Sequence, residues 1–178
     1  MSDVARAFAQ MLTKSPDVPE HVIAGLLATK QDAVAPLVEV LNDRSLDRQD
    51  HPSGGLARVH AAELLGHVGQ RDAVDPLVDV LVADRANRAL VKAVSDALAR
   101  IHDGIDGGIA GALLDRVDAT DDVTTHMLLA MVLASGKMQD PRTTKLLQRL
   151  LPQDPDIVLP LVVNYGDATL APDVAKVL

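Results

Sequence analysis

Histidines are the residues whose type and spacing could support metal chemistry. His60 and Glu63 are three positions apart, which places both side chains on one helix face, where they could ligate zinc or a di-iron centre. Such a centre needs further ligands, but His67, His102 and His126 have no acidic residue at a consistent offset. We therefore interpret these histidines as surface or helix-end residues, and we expect neither a metal site nor a bound cofactor.

Nucleophilic catalysis has equally little support in the sequence. The chain has no cysteine, and Ser53 and Ser135 lack the Gly-x-Ser-x-Gly turn that exposes a catalytic serine. The glycine-rich stretch 104–108 has no lysine and no preceding strand, both of which a phosphate-binding loop requires. We predict no catalytic residue and therefore a protein that is not an enzyme.

Composition restricts the partners and the compartment. The formal net charge of −8 argues against binding to a nucleic-acid backbone, which needs a clustered positive face. No apolar run approaches the roughly 18 residues of a membrane-spanning helix. The first residues show no secretion leader, and cysteine is absent, so we expect a cytoplasmic protein without a membrane partner.

The elements that would position any site are helices built from small aliphatic residues. Hydrophobic residues make up 48% of the chain but aromatic residues only 1%, namely Phe8 and Tyr165. A core of Ala, Val, Leu and Ile favours helices and lets them approach closely, whereas a β-sandwich would be expected to use more aromatic residues. The composition therefore indicates an all-α protein.

An internal repeat organises these helices. Segments 31–43 and 71–84 share an Asp-Ala-Val opening, a Pro-Leu-Val core, an acidic residue and Val-Leu, so each is predicted as a helix with its Asp, Asp32 or Asp72, as N-cap. Acid-led helix starts are also expected at Asp106 and Asp140, because Asp72, Asp106 and Asp140 recur at intervals of 34 residues, the length of one helix–turn–helix unit.

The whole chain is predicted to contain about eleven helices in one domain. The first three are expected at 3–13, 21–29 and 33–42, and four further pairs follow along the chain. Charge, Pro, Ser and Gly cluster in residues 43–55, which indicates an exposed loop between repeats. Since the repeat continues on both sides of this loop, we predict a single domain over residues 1–178.

Residues 57–81 resemble the short HEAT-like unit of bilin-lyase-type repeat proteins. In that unit an Arg opens the first helix, Ala-Ala-x-x-Leu-Gly closes it and Asp-Ala-Val-x-Pro-Leu opens the second. The matching residues are Arg58, Ala61, Ala62, Leu65, Gly66, Asp72, Ala73, Val74, Pro76 and Leu77. The resemblance implies an α-solenoid, or superhelix, of about five antiparallel helix hairpins. We expect Arg58 or Arg71 to contact a neighbouring Asp as part of a structural ladder.

The resemblance also implies where a partner would bind. In HEAT-like proteins the second helices line the concave face, which would present acidic residues early in the chain and basic residues late. We predict a scaffold that binds another protein or peptide along this face, through Glu39, Asp75, Asp79, Arg142, Lys145 and Arg149. Two alternatives stay open: these residues are ordinary solvated helix faces, or the chain is a lyase or chaperone-like subunit that handles a tetrapyrrole-bearing protein.

Overall fold

The computed structural model describes residues 3–177, and within them the protein is all-α, as predicted. This part of the chain contains eleven α-helices and no strand. The helices are α1 Asp3–Met11, α2 Glu20–Thr29, α3 Gln31–Asn42, α4 Ala57–Val68, α5 Val74–Ala83, α6 Arg88–Gly104, α7 Ala110–Asp118, α8 Val123–Ser135, α9 Pro141–Leu150, α10 Pro155–Tyr165 and α11 Ala171–Val177. Short 3₁₀ helices cover Arg44–Asp47, Arg71–Ala73 and Ala168–Leu170.

The chain forms two compact units, Met1–Ile105 and Asp106–Leu178. We call them the N-terminal unit, which contains α1 to α6, and the C-terminal unit, which contains α7 to α11. The predicted domain of residues 1–178 includes three residues, at positions 1, 2 and 178, that lie outside the described range. A single repeat domain with a solenoid arrangement stays a prediction.

In the N-terminal unit α4 is the central helix, and it packs against α2, α3 and α6. The contact with α6 is close because glycine and alanine face each other across it. A Cβ added at Gly66 would lie 2.6 Å from the Cα of Ala97, so glycine is the residue that allows this approach. Leu65, Ala61 and Leu98 are fully buried. This contact is the expected result of an aliphatic core with few large side chains.

In the C-terminal unit α8 has the corresponding place, since it packs against α7, α9 and α10. Leu129, Leu133, Leu147 and Val158 are fully buried and contribute to the core of this unit. Helix α8 is apolar around most of its circumference, as expected of a helix with neighbours on several sides. It therefore fixes the positions of α7 and α9, which carry the surface described below.

Aspartate caps begin three helices of the C-terminal unit. Asp122, Asp140 and Asp154 each accept a hydrogen bond from a backbone N–H in the first turn of α8, α9 or α10. At Asp140 the acceptor is Oδ1, which lies 2.8 Å from the Arg142 nitrogen. The predicted helix start at Asp140 is confirmed, and Pro141 follows it at the first helical position, where no intrahelical donor is lost.

The Asp N-caps predicted at Asp32 and Asp72, and the helix start predicted at Asp106, are wrong. Only Lys30, at φ 42°, separates α2 from α3, so Asp32 already lies inside the first turn of α3. Asp72 belongs to a 3₁₀ turn that leads into α5 and satisfies its donors with backbone carbonyls. Asp106 precedes two glycines at positive φ, and α7 begins only at Ala110. At all three positions backbone geometry provides the turn that a side-chain cap would otherwise stabilise.

Residues 43–55 are held to the N-terminal unit by the side chain of Arg58. Its guanidinium is only 1% exposed and donates from Nε to the Leu41 carbonyl at 2.6 Å, from Nη1 to Asp47 Oδ2 at 2.5 Å, and from Nη2 to Asp84 Oδ2. The predicted contact of Arg58 with a neighbouring Asp is confirmed, while a ladder between successive repeats stays a prediction. The segment predicted as an exposed loop contains a 3₁₀ helix, and although most of it is exposed, Leu46 is buried.

Adding one methyl group at Gly66 should destabilise the N-terminal unit. We expect Gly66→Ala to reduce the free energy of unfolding by about 1–3 kcal/mol, because the new Cβ overlaps Ala97 and forces α4 away from α6. Gly104→Ala is the matched control, since no atom lies within 4 Å of a Cβ at that helical position. Urea unfolding followed by circular dichroism measures both; equal effects of the two substitutions would contradict the proposed close contact.

Removal of the Arg58 charge should have a larger effect. Arg58→Met leaves Asp47 and Asp84 without their buried partner, and we expect a loss of about 3 kcal/mol in the free energy of unfolding. Arg48→Met breaks an ion pair with Asp50 in which both side chains are mostly exposed, so it should cost less than about 1 kcal/mol. Similar losses for both variants would show that the Arg58 network is not a buried constraint.

Candidate protein-binding surface

Helix α9 carries a row of basic residues on one face and apolar residues on the other. Arg142, Lys145 and Arg149 are spaced three and four residues apart, which aligns them along the helix. Leu147 and Leu150, on the opposite face, are fully buried. The basic row borders a cleft of about 180 Å³ between α7 and α9. We name this cleft the α7–α9 groove; its lining residues are Leu114, Val117, Asp118, Arg142, Lys145, Leu146 and Arg149.

Arg142 is bound to acidic residues of the groove rim. Its Nη1 donates to Asp115 Oδ1 at 2.8 Å and lies 3.5 Å from Asp118 Oδ2, while its Nε lies 3.6 Å from Asp140 Oδ1. The hydrogen bond to Asp115, together with the negative charges of Asp140, Asp115 and Asp118, raises the pKa of Arg142. Arg142 therefore links α9 to α7, and its positive charge is already compensated within the protein.

Lys145 and Arg149 keep their positive charges without an acidic partner. Within residues 3–177 the Lys145 side chain makes no hydrogen bond or ion pair, and the Arg149 guanidinium bonds only to a neutral acceptor, His126 Nδ1, at 3.3 Å. Both side chains are exposed. The groove thus combines two uncompensated cations with an apolar floor of Leu114, Val117 and Leu146, an arrangement suited to binding an anionic, partly apolar chain.

His126 supports the groove from below. It is buried, at 6% exposure, so its interpretation as a surface residue is wrong, although it does lie near the end of a helix, as the fourth residue of α8. Its Nε2 lies 3.1 Å from the Val117 carbonyl and 2.7 Å from that of Thr120, and therefore carries the hydrogen. Nδ1 is then the acceptor for Arg149. No spacing in the sequence predicts these contacts, because they join α8 to α7, to the turn after α7 and to α9.

A second cleft, of about 470 Å³, lies on the other side of α9 and also includes Lys145. Asp167 lies in it and accepts hydrogen bonds from Thr144 Oγ1 at 2.6 Å, from Thr169 Oγ1 at 2.7 Å and from the Thr169 nitrogen at 2.9 Å. These hydrogen bonds, the one from Thr144 first, lower the pKa of Asp167. Lys145 therefore stands between two concave surfaces of the C-terminal unit.

The acidic residues predicted to bind a partner lie in the N-terminal unit. Glu39 is on α3, and its Oε1 forms an ion pair with Arg6 Nη2 at 3.3 Å; both side chains are partly exposed. Asp75 and Asp79 are exposed on α5, a helix that contacts α3. The structure thus brings the three basic residues together in one groove and places the three acidic residues on two neighbouring helices.

The other residues considered for chemistry have structural contacts. His60 lies 2.9 Å from the Pro16 carbonyl through Nε2 and 3.4 Å from Glu63 Oε2 through Nδ1, and residues 3–177 contain no group of three or more potential ligands that could hold a metal. Ser53 Oγ lies 2.9 Å from His51 Nδ1, a contact that was not predicted from the sequence. Ser53 is fully buried and its backbone N–H donates to the same nitrogen, so this pair stabilises a turn.

Among the described helices, none combines the length and the apolar character needed to cross a lipid bilayer.

Comparison with known proteins assigns no family. No family model matches the chain, and neither a curated protein nor a solved structure matches it. The resemblance of residues 57–81 to a HEAT-like unit therefore stays a prediction that rests on the sequence motif alone.

The hydrogen bond from Thr144 should control the titration of Asp167. We expect Thr144→Val to raise the pKa of Asp167 toward its ordinary value, as measured by NMR titration of the carboxyl carbon. Because the folded-state pKa is lowered, the contribution of Asp167 to stability is present above its unfolded pKa of about 3.9 and is lost as the pH falls through the folded value. The stability difference between wild type and variant should shrink accordingly below about pH 4.

Thr124→Val is the matched control for this measurement. Thr124 is exposed near the start of α8, and its hydroxyl makes no hydrogen bond with another residue of the described range. The pKa of Asp167 should not change in this variant. An unchanged Asp167 titration in Thr144→Val would contradict the cause assigned here.

Proposed function

We propose that this protein is a non-catalytic interaction scaffold that binds a partner protein or peptide along the exposed faces of its helices. The α7–α9 groove is the surface with the strongest support, and its occupant is an acidic segment that also carries aliphatic side chains. The observation that carries this proposal is the pairing of two uncompensated cations, Lys145 and Arg149, with an apolar floor.

The unpaired cations of the groove favour a partner segment with negative charge. Arg142 is already paired with Asp115 and Asp118, so a partner carboxylate would gain most from Lys145 and Arg149. Arg149 can hold a carboxylate with two parallel N–H donors, while Lys145 supplies a mobile charge at the groove edge. Both groups are exposed, so salt should weaken the association and slow the rate at which it forms.

The volume of the groove limits how many apolar side chains of the partner it can hold. The groove is small, and Leu114 and Leu146 are almost fully covered by their own neighbours, so its floor accepts one or two aliphatic side chains rather than an extended apolar helix. Burial of each such side chain supplies the favourable term that exposed ion pairs alone do not give. The combination favours a short segment bound with modest affinity.

A further apolar surface on α10 supports an interaction function. Ile157, Pro160 and Val163 are spaced three residues apart on one face of the helix, and Ile157 and Val163 are 55% and 77% exposed. Clustered exposed aliphatic residues of this kind are typical of protein-interaction surfaces. We assign no occupant to this face, and it is not part of the groove.

A set of three synthetic peptides tests the groove. Each is a short peptide with leucine as its only apolar residue type, present at one or two positions, and with glutamate, glutamine or lysine at the other positions. We expect the glutamate peptide to bind at least about tenfold more tightly than the other two, as measured by fluorescence anisotropy, because only it complements Lys145 and Arg149. Amide chemical-shift changes should map to α7 and α9. Equal binding of the three peptides, or shifts confined to other helices, would overturn the proposal.

Charge reversal provides the second arm of the test. The double variant Lys145→Glu with Arg149→Glu should bind the glutamate peptide with an affinity at least about tenfold lower than that of the wild type. Lys14→Glu with Lys137→Glu is the matched control: it changes the net charge equally, and both residues are exposed and lie outside the groove. If both double variants lose the same affinity, net charge and not the groove determines binding.

A further inference from the structure

A second concave site lies in the N-terminal unit, where helices α2, α4 and α6 meet. Its volume is about 300 Å³, within the range of small-molecule sites. Glu63 and His67 are four residues apart on α4, and Asp96 and Arg100 are four residues apart on α6, so each pair faces the cleft from one side. Apolar groups, among them Ile23 and Leu64, form the rest of the wall. We name this site the α4–α6 cleft.

The acidic residues of the cleft already have partners, whereas the basic ones do not. Glu63 Oε2 lies 3.4 Å from His60 Nδ1, and Asp96 Oδ2 accepts from Lys92 Nζ at 2.5 Å. The side chains of Arg100 and His67 make no hydrogen bond or ion pair with any residue between positions 3 and 177. Lys92 compensates the charge of Asp96. The cleft therefore retains the carboxylate of Glu63, the guanidinium of Arg100, which no carboxylate pairs, and the imidazole of His67.

These groups determine which ligand chemistry fits. The planar guanidinium of Arg100 offers two parallel donors that match a carboxylate, and His67 can add a third. A dianion such as phosphate would be repelled more strongly by the nearby Glu63 and Asp96 than a monoanion would. The apolar wall at Val18 and Ile23, both partly exposed, gains from contact with a hydrocarbon body.

We propose that the α4–α6 cleft binds a small monocarboxylate with an aliphatic body, held by Arg100 and His67 at its charged end and by Val18 and Ile23 along its chain. The site is separate from the groove assigned to a partner segment: it lies in the other unit, shares no residue with it and uses a different class of ligand.

Isovalerate is a suitable probe, because two molecules with the same carbon skeleton differ from it only in the head group. Isoamyl alcohol is uncharged and isoamylamine is positive, while acetate keeps the carboxylate and loses the body. We expect isovalerate to give saturable amide shifts in α4 and α6 on NMR titration. The affinity of the protein for each of the other three molecules should be at least about tenfold lower. Inorganic phosphate at about pH 8, where the dianion predominates, should also bind at least about tenfold more weakly than isovalerate.

Substitution of Arg100 tests the charged end. Arg100→Gln should lower the affinity for isovalerate by about tenfold or more. Arg100→Lys keeps the charge but loses the two parallel donors of the guanidinium, so it should lower the affinity less. Arg88→Gln is the matched control, because Arg88 is exposed at the first position of the same helix and outside the cleft. Its affinity for isovalerate should equal that of the wild type.

Three results would overturn the proposal. They are equal affinity for isovalerate and isoamyl alcohol, unchanged affinity in Arg100→Gln, and saturable shifts that map outside α4 and α6. Circular dichroism of each variant distinguishes lost binding from lost folding, and Arg100→Lys gives a second measurement if Arg100→Gln fails to fold. None of these outcomes depends on whether the acidic peptides bind the α7–α9 groove.

Discussion

A buried guanidinium sets the arrangement of the N-terminal unit. Arg58 is on α4, but its three bonds end on α3, on the 3₁₀ helix after it and on the residue that closes α5. A guanidinium has five donors in a fixed plane, so its partners must arrive from set directions. Because an unpaired charge in this position would be costly, the ends of these helices and the loop 43–55 are constrained together.

Small side chains provide the other constraint, since they bring the helices close enough for such contacts to form. Gly66 and Ala97 allow the backbones of α4 and α6 to approach, and this approach also creates the shared wall of the α4–α6 cleft. Leucine and alanine fill the interior, with Tyr165 as the only buried aromatic residue in the described range. A core of this kind excludes nearly all charge, so the surface carries the specificity of the molecule.

The sequence predicts helices better than it predicts their ends or their neighbours. Apolar periodicity was sufficient for an all-α protein with about eleven helices, and the pattern around Arg58 was sufficient for its contact with an Asp. The cap at Asp140 follows from local chemistry, but at Asp72 a preceding 3₁₀ turn takes the place of a cap. Likewise the spacing in α9 aligns its basic residues, while the burial of His126 beneath them depends on tertiary packing that spacing does not encode.

Whether a basic side chain has a carboxylate partner, and not its residue type, distinguishes the structural cations from those available for binding. Arg58 and Arg142 are both surrounded by carboxylates, so their charges are consumed in joining helices. Lys145, Arg149 and Arg100 have no acidic partner in the described part of the chain, and each borders a concave surface with apolar walls. Unpaired cations also lie on open surface, as Lys14 and Lys137 do, where a ligand gains little beyond a screened charge. The apolar walls beside Lys145, Arg149 and Arg100 are therefore what make these three positions informative about what the protein binds.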